Sequence, residues 1–353
     1  MAPTKVLFFG VTGYAGGTVL TKLFLDRDSD EEVTVLVRSP QKAEKLKKYG
    51  VTPVVGSLGD TQLIEKLVSE SDIIINVADS YDVEFTKNIL RGLQKRYETT
   101  GIKPPYIYTT GNGSLIDNSG GNTVSDLIYD DTNIEQMASI PLDAIHREAD
   151  LAVINADEEG GYCRSYLVMP AIIWGEPKTK LVKDGIQNPH TVAFPTIANV
   201  MFDIGQSCVA GKGVSMWNHV ENGELADLFV ILYDAIRADP DGTRVGHGKN
   251  GYYHGENGEW SWMQLAEAMG QALHTLDPSK PAEVRSYTPE EQLKHPLTRV
   301  WGNNARSVAN HSKSLGWKPK LTTTDFLNSA LTEVERWVKD GKPLESQLAQ
   351  MSK

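Results

Sequence analysis

The chain has almost no cysteine. Among its 353 residues only Cys163 and Cys208 occur, with no CxxC pair and no Cys/His cluster. A disulfide framework is therefore excluded, and no metal site is expected. No apolar run approaches the ~18 residues of a membrane span. Positive charge is also in deficit: 35 Lys and Arg stand against 46 Asp and Glu, a formal net charge of −11. Such a chain has no general electrostatic pull toward nucleic acid. The opening Met1-Ala2-Pro3-Thr4-Lys5 runs straight into an apolar stretch and leaves no room for a signal peptide. The expectation is a cytoplasmic globular protein with neither nucleic acid nor membrane as a partner. Hydrophobic residues make up 40% of the chain. That is enough for a core in one large α/β domain or two unequal ones.

Against these absences stands one dense motif. Lys5-Val6-Leu7-Phe8-Phe9 reads as a buried strand, and Gly10, Gly13 and Gly16 follow at G-x-x-G-x-x-G spacing. From Thr18 to Asp26, Val19, Leu20, Leu23 and Phe24 then share one helical face. Strand, glycine turn and amphipathic helix form the phosphate-binding corner of a dinucleotide fold. The glycines allow a tight turn, close approach to a pyrophosphate and close helix–strand packing, while the helix N-terminus supplies free N–H groups. Gly10, Thr12, Gly13, Tyr14, Ala15 and Gly16 are the candidate contacts.

The strand Val33–Val37 ends in Arg38-Ser39-Pro40, about 20 residues after the glycine turn, where such folds read the adenosine ribose. NAD proteins place Asp or Glu there. Arg38, Ser39 and Lys42 stand here instead, and guanidinium, hydroxyl and ammonium groups suit a 2′-phosphate. The cofactor expected is NADP(H).

A strand at Pro53–Val55 leads to Gly56-Ser57-Leu58-Gly59-Asp60, and a helix runs to about Glu70. The apolar run Asp72–Val77 suits a central parallel strand and is followed by Ala78-Asp79-Ser80-Tyr81. A helix over Val83–Tyr97, a strand over Tyr106–Thr110, a loop over Gly111–Thr123, a helix over Asp143–Asp157 and a strand over Arg164–Met169 complete the alternation. Later helices are expected near Ile197–Val209, Gly223–Arg237, Ser261–Leu273 and Asp325–Val338. Another starts at Thr288-Pro289. The pattern predicts an α/β fold: a Rossmann doubly wound parallel sheet with a smaller C-terminal α+β substrate-binding region. Residues 1–175 form the expected NADP-binding domain, with segments of about 196–245 returning to it. Residues 176–195 and 246–353 are expected to be mainly substrate-binding.

Several motifs then carry a family likeness. Gly10-Val11-Thr12-Gly13-Tyr14-Ala15-Gly16, Gly56-Ser57-Leu58-Gly59-Asp60, Asn76-Val77-Ala78 and Tyr108-Thr109-Thr110-Gly111 occur in order. Met169-Pro170-Ala171-Ile172-Ile173-Trp174-Gly175, His219-Val220-Glu221-Asn222 and Leu315-Gly316-Trp317-Lys318-Pro319 follow. The chain resembles the extended short-chain dehydrogenase/reductase superfamily of sugar-nucleotide epimerases, dehydratases and dihydroflavonol-type reductases. The resemblance implies cofactor contacts at Ser57, Leu58, Asn76, Ala78, Asp79, Thr110, Pro170, Ala171 and Ile172, beside the glycine corner. It also implies a homodimer through the helices Val83–Tyr97 and Asp143–Asp157, with Ile89, Leu90 and Leu93 as candidate contacts.

The likeness breaks at the family's Tyr-x-x-x-Lys, where phenol and ammonium share a helix face. The corresponding Leu142-Asp143-Ala144-Ile145-His146-Arg147-Glu148-Ala149-Asp150 holds neither residue. Aligning Asp150 with the family's later acid puts His146 at the Lys position and Leu142 at the Tyr position. In this the chain resembles atypical members, including fungal NmrA-like regulators.

Three functions follow. The first is an NADP(H)-dependent oxidoreductase reducing a carbonyl, imine or activated alkene of a small organic substrate with a nonstandard proton donor. The second is an NADP-binding redox sensor without turnover, and the third a sugar-nucleotide epimerase or dehydratase. Candidate donors are Thr110, Ser114, His146 and Tyr81. Thr110 alternatively orients the substrate oxygen, and Ser114 reads as a solvated loop residue. His146 alternatively bonds the ribose, and Tyr81 serves as lid or wall. Trp174 and Trp217 are the candidate substrate-pocket walls.

Overall fold

The computed structural model describes residues 3–28 and 30–340. Its centre is a parallel sheet of seven strands. Five come from the alternating first part: β1 Lys5–Phe9, β2 Glu32–Val37, β3 Thr52–Val55, β4 Ile73–Asn76 and β5 Pro105–Thr109. The strands Arg164–Pro170 and Tyr252–Gly255 complete it. Across the sheet the order is Tyr252–Gly255, Arg164–Pro170, β5, β4, β1, β2, β3. Strand order therefore reverses between β1 and β4, and a crevice opens outside the carboxyl ends of these two strands.

The two-residue side-chain period of a strand divides the core. Leu7 and Phe9 face one cluster with Ile74, Phe85 and Leu93, while Val6 and Phe8 face the other with Val19, Val35 and Phe229. Four helices belong to the first part: α1 Tyr14–Leu20, α2 Pro40–Lys47, α3 Thr61–Ser69 and α4 Val83–Thr100. The expected face of α1 is fully used, since Val19, Leu20, Leu23 and Phe24 are all buried. Its last turn widens into a π-helical stretch, Thr21–Leu25.

Several boundaries differ from the sequence expectation. The helix expected from Asp143 starts at Arg147, with residues 143–146 forming the turn before it. Pro105, one residue before the expected strand, opens β5 as its first residue, a position that tolerates a missing N–H. The helix expected near Ile197–Val209 is Ala193–Ile204, and Cys208–Val209 is a short strand. The last amphipathic stretch is two helices, Thr323–Asn328 and Ala330–Asp340.

Two segments cross the expected partition. Strand Tyr252–Gly255 pairs in register with Arg164–Pro170 and so belongs to the main sheet. Residues 179–188 lie on α1 and α2: Leu181 and Ile186 join their core cluster, and Lys45 donates to the Asp184 carbonyl at 2.8 Å. A small sheet of Glu259–Ser261, Met216–Glu221 and Ile172–Trp174 anchors the C-terminal region. On α4, Ile89, Leu90 and Leu93 are buried within the chain.

Candidate functional site

The glycine corner sits at the crevice. Gly10 follows β1 with φ 92°, and a Cβ there would lie 2.2 Å from the Val77 carbonyl oxygen. A Cβ on Gly16 would lie 2.2 Å from the Gly10 carbonyl oxygen. Only hydrogen fits at either place, so α1 approaches β1 closely. The Gly13 amide donates to Gly10 at 2.9 Å. Gly13 is the N-cap of α1 and carries no side-chain cap, which leaves the first-turn amides of Tyr14, Ala15 and Gly16 without helical acceptors. A cradle closed to side chains and lined by N–H groups fits a dinucleotide pyrophosphate.

Later segments hold this corner from outside. The Tyr14 phenol donates to the Gly175 carbonyl at 2.5 Å, and burial pushes its pKa well up. The Gln187 amide donates to the Tyr14 carbonyl at 2.7 Å and to Thr18 Oγ1 at 2.9 Å. The Asn188 amide donates to the Thr12 carbonyl at 3.0 Å. Tyr14 therefore offers a ligand its backbone, and its ring serves the fold.

Arg38 is exposed just after the close of β2. Ser39 caps α2, its Oγ accepting from the Lys42 amide at 3.3 Å and donating to Gln41 at 3.0 Å. The Lys42 ammonium donates to the Ile186 carbonyl at 2.7 Å. Of the three phosphate candidates, Arg38 is the one with an outward cation. Ser57 is exposed beyond β3, while Leu58 packs partly against the core. Asn76 is buried, taking the Ala78 amide at 3.0 Å and donating to the Tyr106 hydroxyl at 3.3 Å. Its side chain shapes the chain end. Asp79 accepts the Tyr81 amide at 2.8 Å and turns the chain there.

The four candidate donors converge where β4 and β5 end. The Thr110 hydroxyl donates to Asp150 Oδ2 at 3.0 Å. Asp150 is wholly buried, and its Oδ1 has no hydrogen-bond partner. Burial pushes its pKa up to about 7, against the Thr110 hydrogen bond, the Arg147 charge and the Tyr108 hydroxyl. His146 is the one non-glycine among the described residues with positive φ, 68°, and it N-caps the helix Arg147–Glu158. A non-glycine held there is strained, and such strain clusters at functional sites. The His146 ring centroid lies 4.3 Å from that of Tyr81, and Nδ1 lies 3.4 Å from the Ser80 carbonyl. Burial pulls its pKa down to about 4, so the imidazole is neutral near pH 7. A Cβ on Gly111 would lie 3.1 Å from Nε2, so the glycine makes room for the ring.

Three expectations are corrected here. His146 lies before its helix and not on a helix face. Leu142 is 78% exposed in the preceding turn and does not stand where a helical Tyr would. Ser114 is buried in the turn Asn112–Leu115, donating to the Ile145 carbonyl at 2.6 Å, and is not solvated. Tyr81 is half exposed and covers the histidine, as a lid residue does.

Beyond the strand Arg164–Pro170, the Ala171 amide donates to Gly255 at 2.9 Å, and Ile172 enters the small sheet. The two tryptophans are core residues. Trp174 Nε1 donates to His219 Nδ1 at 3.1 Å, and the ring packs edge-on to Phe326. Trp217 Nε1 donates to the Asn303 carbonyl at 2.6 Å, and the ring meets Trp262. Both rings are buried and both N–H groups are engaged, which corrects their reading as pocket walls. In the sequence Asp150 serves only to set the register of this segment. Its one signal was an acid amid Ala149, Leu151, Ala152 and Val153.

Known proteins share this frame. Residues 3–95 match the model of the NmrA-like family. An oxidase named ucsJ from Acremonium sp is 28% identical over 338 residues, which is 89% of this chain and 92% of that protein. The uncharacterized protein C2A9.02 of Schizosaccharomyces pombe is 24% identical over 92% of this chain and 99% of its own length. Among solved structures, a Thermus thermophilus UDP-glucose 4-epimerase in complex with NAD superposes with a TM-score of 0.59 at 15% identity, covering 94% of this chain and 99% of that one. The fold is the one seen in that UDP-glucose 4-epimerase, and the NmrA-like match covers the first part of this chain, residues 3–95.

Proposed function

We propose that this NmrA-like chain on an extended short-chain fold is an NADP(H)-dependent oxidoreductase that reduces a carbonyl, imine or activated alkene of a small organic substrate. The observation that carries the proposal is the meeting of Thr110, His146 and Tyr81 at the ends of β4 and β5, next to the glycine corner. The naming of the Acremonium relative as an oxidase supports redox chemistry.

A bound dihydronicotinamide supplies a hydride. The first-turn amides of α1 hold the pyrophosphate, and Arg38 pairs with the 2′-phosphate. His146, neutral and fixed by Tyr81 and Ser80, bonds a ribose hydroxyl without adding charge. Thr110 orients the substrate oxygen, and Tyr81 closes over the site.

NADPH is expected to bind at least about tenfold more tightly than NADH, the ~1.4 kcal/mol available from one charge-assisted phosphate contact. Arg38→Asp reverses the preference. Nicotinamide fluorescence titrations of both proteins check this, and equal affinities in the wild type remove the role of Arg38. His146→Ala is expected to weaken binding two- to twelvefold, from roughly 0.5–1.5 kcal/mol for a net hydrogen bond. Because burial holds the His146 pKa near 4, that loss should be constant from about pH 6 to 9. A loss confined to the acid side would mean that a charged imidazole does the binding. NADPH oxidation with a carbonyl panel tests the reaction itself. Tight binding without turnover would favour the redox-sensor function instead.

A further inference from the structure

A reductase site without the family's tyrosine needs a proton from elsewhere, and one buried acid touches it. We propose that Asp150 is the proton reserve of this site, acting through the Thr110 hydroxyl. Its use rests on the reductase function; the proton pair itself does not.

The geometry is specific. Thr110 directly follows β5, beside Gly111 and His146, and its hydroxyl meets Asp150 Oδ2 at 3.0 Å. The opposite oxygen, Oδ1, is buried and unpartnered. The charged group nearest at hand does not pair with it. Arg147 gives Nη1 to the Tyr252 hydroxyl at 3.2 Å and Nη2 to the Ala138 carbonyl at 3.0 Å, and its Nε is unpartnered. A fully buried carboxylate lacking a bonded cation is costly, and a protonated carboxyl removes that cost. Four groups face Asp150: Tyr108 from β5, Thr110 just after it, Arg147 from its own helix, and Tyr252 from the edge strand. Of these, only Arg147 carries charge near pH 7, because burial raises both phenols. Burial outweighs it and brings the Asp150 pKa up to about 7, poised for exchange near neutrality.

The step balances. As the substrate carbon receives the hydride, its oxygen takes the Thr110 proton. For this the Thr110 O–H turns from Oδ2 to the substrate oxygen and Oγ1 accepts from a proton on Oδ2; that Oδ2–H bond breaks, its proton passes to Oγ1, and Asp150 is left a carboxylate. The substrate gains one hydride and one proton, the dihydronicotinamide loses two electrons, and Asp150 regains a proton from water between turnovers.

The test begins without cofactor or substrate. Infrared spectra of wild type minus Asp150→Asn, titrated from about pH 5 to 9, should show a protonated-carboxyl band that is lost with a midpoint near 7. Thr110→Val removes a hydrogen bond that favours the carboxylate, so the midpoint should rise by about one pH unit, and Thr110→Ser should restore it. With NADPH and 9,10-phenanthrenequinone as the probe pair, Thr110→Val should lower kcat by ~10²–10⁴, with rescue by Thr110→Ser. The alkaline limb of the wild-type pH profile should be absent in Asp150→Asn. An Asp150 already ionised at pH 5 overturns the proposal. If Asp150→Asn does not fold, a band unmoved by Thr110→Val overturns it equally. A titrating pair in a protein that never oxidises NADPH leaves the pair standing and overturns the reductase function.

Discussion

Gly16→Ala should weaken dinucleotide binding by about a hundredfold while leaving the chain folded. Gly16 lies in ordinary helical backbone, so alanine is permitted by conformation. The obstacle is space. Its Cβ would lie 2.2 Å from the Gly10 carbonyl oxygen, whereas ordinary contact begins at 3.4 Å. The helix must therefore retreat by roughly 1 Å, and overpacking of this kind costs about 1–3 kcal/mol. The retreat also carries the first-turn amides away from the phosphate they hold, so binding loses a comparable energy, near 3 kcal/mol or ~10²-fold. NADPH fluorescence titration measures the loss, and circular dichroism checks the fold. Unchanged affinity would mean that this corner does not hold the pyrophosphate.

The second large effect concerns stability and pH. The Asp150 carboxyl has a pKa of about 7 in the folded chain and about 3.9 when unfolded. Below about pH 4 both states hold the proton, and this group does not distinguish them. Between about pH 4 and 7 the unfolded chain releases the proton while the folded chain keeps it, so stability falls as pH rises. Above 7 the whole penalty is present, up to ~4 kcal/mol at about 1.36 kcal/mol per unit. Asp150→Asn does not titrate, and its amide still accepts the Thr110 hydroxyl. Urea unfolding at about pH 4 and pH 8 should show the wild type losing up to ~4 kcal/mol more than the variant. Parallel losses would mean that Asp150 is ionised in the fold.

Much of this architecture is readable from residue order. The β-branched and aromatic runs at Val6–Phe9, Val33–Val37 and Ile73–Asn76 become strands at the sheet centre, because buried parallel strands need continuous apolar sequence. The glycine spacing is readable because each of Gly10 and Gly16 answers a local steric demand. The rest depends on long-range partners. Nothing in Leu142–Asp150 breaks helical periodicity, yet Ser114 takes the Ile145 carbonyl from 31 residues away and the helix begins only after His146. The Gly/Asn/Ser composition around Ser114 reads as solvated loop, but that same contact buries it. Trp217 and Asn303 are 86 residues apart, and Gln187 reaches Tyr14 across 173. Neither pairing leaves a local mark. Asp150 is hidden for a related reason: its meaning comes from the Thr110 hydroxyl, 40 residues earlier.

The most direct measurement is a crystal structure of the chain soaked with NADP⁺. The reductase account predicts the pyrophosphate on the first-turn amides of α1, the 2′-phosphate beside Arg38, and the nicotinamide C4 facing the Thr110 hydroxyl with a ribose hydroxyl bonded to His146. A dinucleotide bound elsewhere, or a nicotinamide ring turned away from Thr110 and His146, would contradict it.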